Sequence, residues 1–211
     1  MKKYFAFTLV MALGLCGAQV SQAQVSKDAK EANKLAREGA EASKNQEWDK
    51  AVELLRKATN LDRKYAPNLA AVYQQRGYAA ANEQRFQDAV NEYSEAIRLN
   101  SQDPRIYEQR AAVEMKLNDT DKALADYSEA IKLKPNETRY YLYRSYIYET
   151  KGDVKSSMAD TEKVLKVDPN NQQALSRKKR LEARQAANAP LPPPPPRGSS
   201  PKASPAAGRT P

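Results

Sequence analysis

The stretch from residue 107 to residue 135 reads YEQRAAVEMKLNDTDKALADYSEAIKLKP, and its main residues return every 34 positions along the chain. Four columns of this repeat are Tyr73, Tyr107 and Tyr141; Arg76, Arg110 and Arg144; Gly77, Ala111 and Ser145; and Ala89, Ala123 and Ser157. A fixed period of this length is typical of one supersecondary unit that has been copied and stacked. Because stacked units present an extended surface, the pattern favours binding over chemistry as the function.

Each unit predicts two antiparallel helices joined by a short turn. From residue 106 to 117, and again from 123 to 131, apolar residues recur with the period of a helix. The polar segment Asn118-Asp119-Thr120 separates the two runs, and Pro135 follows the second run because proline cannot continue a helix. Asp103-Pro104 opens the unit as an N-cap followed by proline in the first turn.

These residues resemble the tetratricopeptide repeat (TPR) family of helical hairpins. The resemblance rests on the pattern YxxRG…F…A…Y..A at residues 73–96 and its copy at residues 107–135. It implies an all-α fold, namely a right-handed superhelical array of four antiparallel hairpins with a C-terminal capping helix. The expected repeats span about residues 32–65, 70–103, 104–137 and 138–171 within an array at 24–187, and the capping helix spans 172–187.

One interval between repeats departs from the common period. Ala58 and Ala96 occupy equivalent positions but are 38 residues apart, four more than the other intervals. Four residues make about one helical turn. We therefore expect one extra turn of helix near residues 66–69.

The segment from Met1 to Ala23 has the features of a secretory signal peptide. Met1-Lys2-Lys3 is a short basic start, an apolar run follows, and Val20-Ser21-Gln22-Ala23 offers small residues before Gln24. We expect cleavage after Ala23 and export to a bacterial periplasm or to the outside of the cell. The alternative is that the segment is retained as an N-terminal anchor.

Composition excludes several classes of enzyme. The chain has no histidine, and Cys16 is its only cysteine. Histidine-based nucleophile systems and zinc sites with His or Cys ligands are therefore excluded. Acidic residues such as Asp119 and Asp153 fall on predicted turns, where capping or solvation is their expected role. We predict no enzymatic activity, no cofactor and no small-molecule substrate.

The net charge of +9 is concentrated at the C-terminal end. Residues 24–170 carry 25 basic and 25 acidic side chains, so the array is not expected to bind nucleic acid. In the helix at 172–187, Leu175 and Leu181 predict a thin apolar stripe, and Arg177-Lys178-Lys179-Arg180 a basic face. A polar capping helix is the simpler interpretation. The alternative is contact with an anionic membrane surface or another polyanion through Arg177–Arg184.

Residues 188–211 are expected to form a disordered tail. Pro192 to Pro196 is an unbroken proline run, followed by glycine, serine and alanine. Such a segment buries too little apolar surface to offset its chain entropy. We predict a polyproline spacer with a flexible end, and the alternative is a ligand motif carried by Pro192, Pro195 and Arg197.

The resemblance also implies where a partner binds, because the first helix of each TPR unit lines a concave groove. The predicted partner is a peptide or protein, since tyrosine, arginine and amide side chains suit such an interface. The alternative is that these positions are only solvated helix faces. Transferred position by position, the predicted groove residues are Arg37, Gln74, Tyr78, Asn82, Arg105, Gln109, Arg139, Tyr143 and Tyr146.

One known type of TPR groove does not fit this chain. Family members that capture the acidic tails of heat-shock chaperones use lysine, asparagine and arginine as a carboxylate clamp. The matching positions here hold Ala36, Ala40, Gln75, Arg105 and Gln109. Because only the arginine is of a suitable type, we do not expect a chaperone clamp.

The arginine column resembles a ladder of ligand-binding residues, but each arginine has a partner nearby. An acidic residue follows each one sixteen positions later, in the antiparallel helix of the same unit. We therefore predict partly exposed ion pairs within each repeat, which add little stability. The predicted pairs are Arg76–Glu92, Arg110–Asp126 and Arg144–Asp160.

Overall fold

The computed structural model describes residues 4–188, with the side chains of residue 22 and residues 24–188. Within residues 4–188 the chain forms nine α-helices, one short 3-10 helix and no strand, so the predicted all-α class is confirmed. The α-helices are α1 (Tyr4–Lys44), α2 (Trp48–Leu61), α3 (Ala66–Asn82), α4 (Phe86–Leu99), α5 (Pro104–Lys116), α6 (Thr120–Leu133), α7 (Thr138–Lys151), α8 (Val154–Val167) and α9 (Gln172–Ala187). The 3-10 helix spans Arg63–Tyr65.

Consecutive helices pair into four antiparallel hairpins, α1–α2, α3–α4, α5–α6 and α7–α8, and α9 packs against the last of them. Every hairpin turn holds one residue in the left-handed region, with φ between 60° and 82°. These residues are Gln46, Gln84, Asn118 and Gly152. Only glycine adopts this conformation without steric cost, and other residues lose roughly 1 kcal/mol or more there.

The predicted extra turn is confirmed at the start of the second hairpin. Helix α3 begins at Ala66, four residues ahead of Ala70, which corresponds to Pro104 at the start of α5. Pro67 lies in the first turn of α3, where its missing N–H costs no hydrogen bond. The insertion therefore lengthens one helix and leaves the later period of 34 intact.

Small residues lie where two helices of a hairpin approach closely. Ala89 and Ala123 are fully buried, and a Cβ atom built on Gly77 would lie 3.0 Å from the ring of Tyr93. Real Cβ contacts are almost never closer than this, so a larger residue would force the helices apart. The small residues that recur in the repeat therefore occupy the positions where the two helices of a hairpin approach most closely.

The fourth hairpin keeps the same joint with polar side chains. Ser157 donates from Oγ to the carbonyl oxygen of Ser145 at 2.8 Å, and Thr161 donates from Oγ1 to the carbonyl oxygen of Ser157 at 2.7 Å. All three residues are fully buried. Because each hydroxyl has an acceptor, the divergent fourth repeat closes without an unsatisfied polar group at this joint.

Two of the sequence predictions concern segments at the ends of the chain. Residues 1–3 and 189–211 lie outside the described residues, so the disordered tail and the signal peptide at residues 1–23 stay predictions. Among the residues whose side chains are described, no helix combines the length and apolar character needed to span a bilayer.

Candidate functional site

The C-terminal half of the array contains a recess of about 870 Å³, which we call the aromatic recess. Helices α5, α7 and α9 form most of its wall. Met115, Leu142 and Ile147 supply an apolar surface, and the polar lining includes three arginines. The remaining lining residues are Ala112, Tyr127, Arg139, Tyr143, Tyr146, Gln172, Gln173, Ser176, Arg177 and Arg180.

Two tyrosines of α7 dominate this recess. Tyr143 and Tyr146 keep 46% and 48% of their surface exposed although both are large aromatic residues. The ring of Tyr143 stacks on the ring of Tyr127 with 5.5 Å between centroids, and the Arg177 guanidinium lies 5.9 Å above the ring of Tyr146. Each ring is therefore held by a neighbouring side chain and still contributes exposed surface to the recess.

The charge of Arg139 at this recess is largely neutralised. Its Nε atom lies 3.0 Å from Oε1 of Glu108, whose side chain is only 16% exposed. Burial raises the pKa of the Glu108 carboxyl, and the nearby Arg139 opposes that shift. A ligand that approaches Arg139 therefore meets an ion pair rather than a free cation.

The N-terminal half of the array contains a second recess of about 570 Å³, which we call the amide recess. Tyr78 lies in it and is 57% exposed. Gln74 donates from Nε2 to Oε1 of Gln109 at 2.5 Å, which links α3 to α5. The lining residues are Gln46, Trp48, Gln74, Gln75, Tyr78, Ala79, Asn82 and Gln109.

The structure brings seven of the nine predicted groove residues to these two recesses. Gln74, Tyr78, Asn82 and Gln109 line the amide recess, and Arg139, Tyr143 and Tyr146 line the aromatic recess. The other two lie elsewhere. Arg37 is exposed on α1, and Arg105 binds Oδ2 of Asp103 at 2.8 Å, the residue that caps its own helix.

Sequence reasoning missed the contribution of α9 to the aromatic recess. Gln172, Gln173 and Ser176 line the recess, but the sequence pattern predicts only a capping helix or a contact with a polyanion for α9. A signal for this role exists in the sequence. Helix α9 follows Asp168-Pro169, the same turn that precedes earlier first helices, so it takes the place of the first helix of a fifth unit.

The interpretation of residues 177–180 as one basic face is wrong for Arg177, whereas Lys179 and Arg180 are exposed. Arg177 is buried at 8% exposure and donates to Glu149 at 3.0 Å and to Ser145 Oγ at 2.7 Å. Arg180 donates to both carboxylate oxygens of Glu149, at 2.9 and 3.1 Å. These hydrogen bonds, that of Arg180 first, lower the pKa of Glu149. The two arginines therefore hold α9 against α7.

The predicted apolar stripe of α9 is also wrong in part. Leu181 is fully buried, but Leu175 is 41% exposed. The buried side of the helix holds Ala174, Arg177 and Leu181, which are spaced three and four residues apart. Leu175 lies off this stripe because it is six residues from Leu181, which is not a spacing that places two residues on one helix face.

The predicted arginine–acid pairs are confirmed, and they do more than join two helices of one repeat. Arg110 donates to both carboxylate oxygens of Asp126 at 2.7 Å, and from Nη1 to Ser94 Oγ of the preceding repeat at 2.9 Å. Arg144 repeats this arrangement with Asp160 and Ser128. The expectation of partly exposed acids is wrong here, since Asp126 and Asp160 are buried. Each arginine therefore also ties its repeat to the previous one.

One oxygen of a buried carboxylate lacks a hydrogen-bond partner among the described residues. Glu114 is 3% exposed, its Oε2 atom is unpaired, and its nearest cation is Arg110 Nε at 4.0 Å. Burial raises its pKa to about 7, with a smaller contribution from Asp126. Among the described side chains, no group of three or more acidic residues is arranged to hold a metal ion.

The matches to known proteins agree with the resemblance to TPR proteins. The family model described as the ETO1 C-terminal domain matches residues 29–186. Hsp70-Hsp90 organizing protein 2 of Arabidopsis thaliana is 43% identical over 53 residues, which make up 25% of this chain and 9% of that protein. The chain therefore resembles only a small part of that relative.

Among the solved structures that share the fold are two TPR domains. The TPR domain of Arabidopsis OM64 is 30% identical, with a TM-score of 0.52 over 56% of this chain and 98% of that chain. The first TPR domain of Spaghetti (RPAP3), solved with the HSP90 peptide SRMEEVD, is 21% identical, with a TM-score of 0.52 over 56% of this chain and 93% of that chain.

Proposed function

The chain belongs to the ETO1 C-terminal domain family of TPR-like arrays, and from this premise we propose that it is a non-enzymatic scaffold that binds a peptide segment of a partner protein. The observation that carries the proposal is the aromatic recess, where Tyr143 and Tyr146 stay half exposed on one helix. Tyrosines in rigid, partly open positions are typical of interface residues that contribute strongly to binding.

The aromatic recess favours an apolar side chain as the main anchor of the peptide. Met115 and Leu142 add apolar area to the lining that contains the two tyrosines. Because Tyr143 is already stacked on Tyr127, binding would freeze little additional side-chain motion. The arginines at the edge are occupied by Glu108 and Glu149, so a strongly acidic peptide gains less from them than their number suggests.

The amide recess suits the backbone of an extended peptide. Glutamine and asparagine side chains carry both donors and acceptors, so they can bind peptide N–H and C=O groups without selecting a side chain. Gln74, Asn82 and Gln109 lie here beside the exposed ring of Tyr78. We propose that this recess holds the peptide in register while the aromatic recess selects its anchor.

Relatives support a peptide as the class of ligand. The first TPR domain of Spaghetti (RPAP3) was solved with a chaperone peptide. That ligand is not carried over to this chain, because Ala36, Ala40, Gln75 and Gln109 stand where the resemblance implies clamp residues. We propose a different peptide, with an apolar anchor in place of an acidic terminus.

We also propose that this binding takes place after export, on the evidence of the segment from Met1 to Ala23. The partner is then an envelope or secreted protein. In the described part of the chain no residue set for catalysis accompanies the recesses, and the whole sequence has no histidine. The proposed mechanism is therefore only the binding of a peptide to a rigid, preformed surface.

A peptide selection followed by crosslinking tests this proposal. Random peptides displayed on phage are selected on the purified chain, and a photoreactive phenylalanine analogue then replaces Tyr146. The matched control places the same analogue at Lys132, an exposed residue of α6. The proposal expects enriched peptides that crosslink from position 146 and not from position 132. Equal crosslinking from both positions, or no enrichment of any peptide, contradicts it.

A further inference from the structure

A third recess, of about 670 Å³, lies at the junction between the first and second hairpins, and we call it the junction pocket. It shares no lining residue with the aromatic or amide recess. Leu69, Tyr73 and Leu99 give it an apolar floor, and Leu61 is 42% exposed at its edge. The other lining residues are Arg56, Thr59, Asn60, Arg63, Ala66 and Arg98.

Three arginines from three different elements meet at this pocket. Arg56 comes from α2, Arg63 from the 3-10 helix and Arg98 from α4, and no acidic residue of the described chain lines the pocket. Arg56 donates from Nη2 to the hydroxyl of the buried Tyr73 at 2.7 Å, which fixes the position of its guanidinium.

The carboxylates close to the pocket are already engaged. Glu95 accepts from Arg98 at 2.7 Å, and Asp62 lies 2.6 Å from Nζ of Lys64. Within the described residues, neither Arg56 nor Arg63 has an ion pair with a carboxylate. The pocket therefore holds about two positive charges that no carboxylate of the described part neutralises.

The repeat itself shows that this junction is exceptional. The residues that correspond to Arg56 in the next two repeats are Ser94 and Ser128, and those that correspond to Arg98 are Lys132 and Lys166. Arg63 lies in the connection that precedes the lengthened helix α3, and the corresponding residues in later repeats are Ser101, Pro135 and Pro169. Arg56 and Arg63 therefore depart from the repeat at the junction beside the extra turn of α3, whereas the position of Arg98 stays basic in the later repeats. Insertions in repeat proteins often mark binding faces.

We propose that the junction pocket binds a phosphate monoester attached to an apolar body. A phosphate monoester carries about two negative charges at neutral pH, which matches the two unpaired guanidiniums. Arginine binds phosphate oxygens with two parallel N–H donors, and a guanidinium held by Tyr73 is ready to do so. The floor of Leu69 and Leu99 fits the apolar part of the same ligand. This inference is independent of the peptide groove.

Isothermal titration calorimetry of the full chain, in a buffer without phosphate, tests the proposal with hexyl phosphate as the probe. We expect saturable binding by the wild type, and at least tenfold weaker binding by the double variant Arg56→Ser, Arg63→Gln. Serine is the residue that two other repeats carry at the first position, so this change should be compatible with folding. Arg63→Gln alone, at an exposed residue, should weaken binding by several-fold.

The matched control removes the same charge from α2 outside the pocket, through Lys50→Gln and Lys57→Gln, which are both exposed. Binding lost equally in this control would overturn the proposal, because it would indicate general charge attraction. No binding of hexyl phosphate by the wild type would overturn it as well. Inorganic phosphate that binds as tightly as hexyl phosphate would contradict the role of the apolar floor.

A second probe distinguishes a lipid from a small phosphorylated metabolite as the source of the phosphate monoester. Soluble dihexanoyl phosphatidic acid presents the phosphate as a lipid does, with two acyl chains. Tighter binding of this probe than of hexyl phosphate supports the proposal with a lipid as the source. Tighter binding of hexyl phosphate supports it with a small phosphorylated metabolite as the source. Failure to bind either probe overturns it.

Discussion

Arg177 donates a hydrogen bond from Nε to Oε2 of Glu149 at 3.0 Å, although only 9% of the Arg177 side chain is exposed. Glu149 also accepts two hydrogen bonds from Arg180, and the Arg177 guanidinium reaches the carbonyl oxygen of Leu142 at 3.1 Å. A buried arginine needs such partners, because an unpaired charge in the interior is costly. Glu149 therefore joins the capping helix to α7 and positions two arginines that line the aromatic recess.

Replacing this carboxylate should loosen the capping helix. Glu149→Ala leaves the Arg177 charge buried without its main partner, so we expect a loss of about 3 kcal/mol in the free energy of unfolding. Urea denaturation at pH 7 measures the change. Lys178→Ala removes a 40% exposed residue of the same helix and should change stability by no more than about 0.5 kcal/mol. Similar losses in both variants would show that Glu149 does not hold α9.

The buried Glu114 makes stability depend on pH. Its pKa is about 7 in the folded chain, against an ordinary value of 4.5, because burial disfavours its charged form. Below about pH 4.5 it is protonated in both states and costs nothing. As the pH rises to 7, the unfolded chain ionises this group freely and the folded chain does not, so stability falls over this window.

The isosteric variant Glu114→Gln should remove that dependence. We expect it to be more stable than the wild type by about 2–3 kcal/mol at pH 8, and nearly equal to it at pH 4.5. Thermal unfolding at a series of pH values measures the difference. Glu129→Gln, at a residue of α6 whose side chain is 46% exposed, is the control and should show no such trend. A difference that stays constant with pH would contradict the assignment.

The four hairpin turns offer a test of backbone strain. Gly152 has a φ of 82°, so Gly152→Ala should cost about 1 kcal/mol or more. Asn118 and Gln84 occupy the equivalent turns with φ of 64° and 62°. Gln84→Gly should therefore be neutral or stabilising by up to about 1 kcal/mol. Chemical denaturation of both variants is the measurement, and a stabilising Gly152→Ala would contradict the turn geometry.

Export leads to a separate prediction. If residues 1–23 are a signal peptide, the mature protein begins at or near Gln24. Mass spectrometry of the protein purified from the extracytoplasmic fraction measures its N-terminus. A protein that keeps Met1 and stays in the cytoplasm would contradict export, and it would also change the set of partners that the groove can meet.

The repeat period was enough to predict the hairpins, because spacing alone decides which residues face a neighbouring helix. The ion pairs of Arg110 with Asp126 and of Arg144 with Asp160 could also be predicted from the spacing within one hairpin. The further contacts of these arginines with Ser94 and Ser128 could not, because they depend on the angle between successive repeats. That angle is set by packing and cannot be read from a single period.

Sequence reasoning was weakest at α9. The charges of Arg177 and Arg180 suggested an exposed basic face, since arginine is rarely buried. Their contacts depend on Glu149, which is distant in the sequence and meets them only after α7 and α9 pack together. Gln172 and Gln173 were missed for the same reason, because a cap and a recess wall have similar compositions.

The affinity of a selected peptide for a double variant tests the central claim most directly. Tyr78→Ala with Tyr143→Ala removes one exposed tyrosine from each recess. Because Tyr143 also stacks on Tyr127, thermal unfolding must first show that the variant is folded at the assay temperature. Val167→Ala with Leu175→Ala is the control, since both residues are exposed and line neither recess.

We predict that the tyrosine variant binds the peptide at least about thirtyfold more weakly, a loss of roughly 2 kcal/mol or more, and that the control binds normally. Lys178→Gln with Lys179→Gln tests the alternative of a polyanion contact, because these two lysines avoid the arginines that hold α9 in place. Normal binding by a folded tyrosine variant, with binding lost in the lysine variant, would contradict the groove as the site of partner recognition.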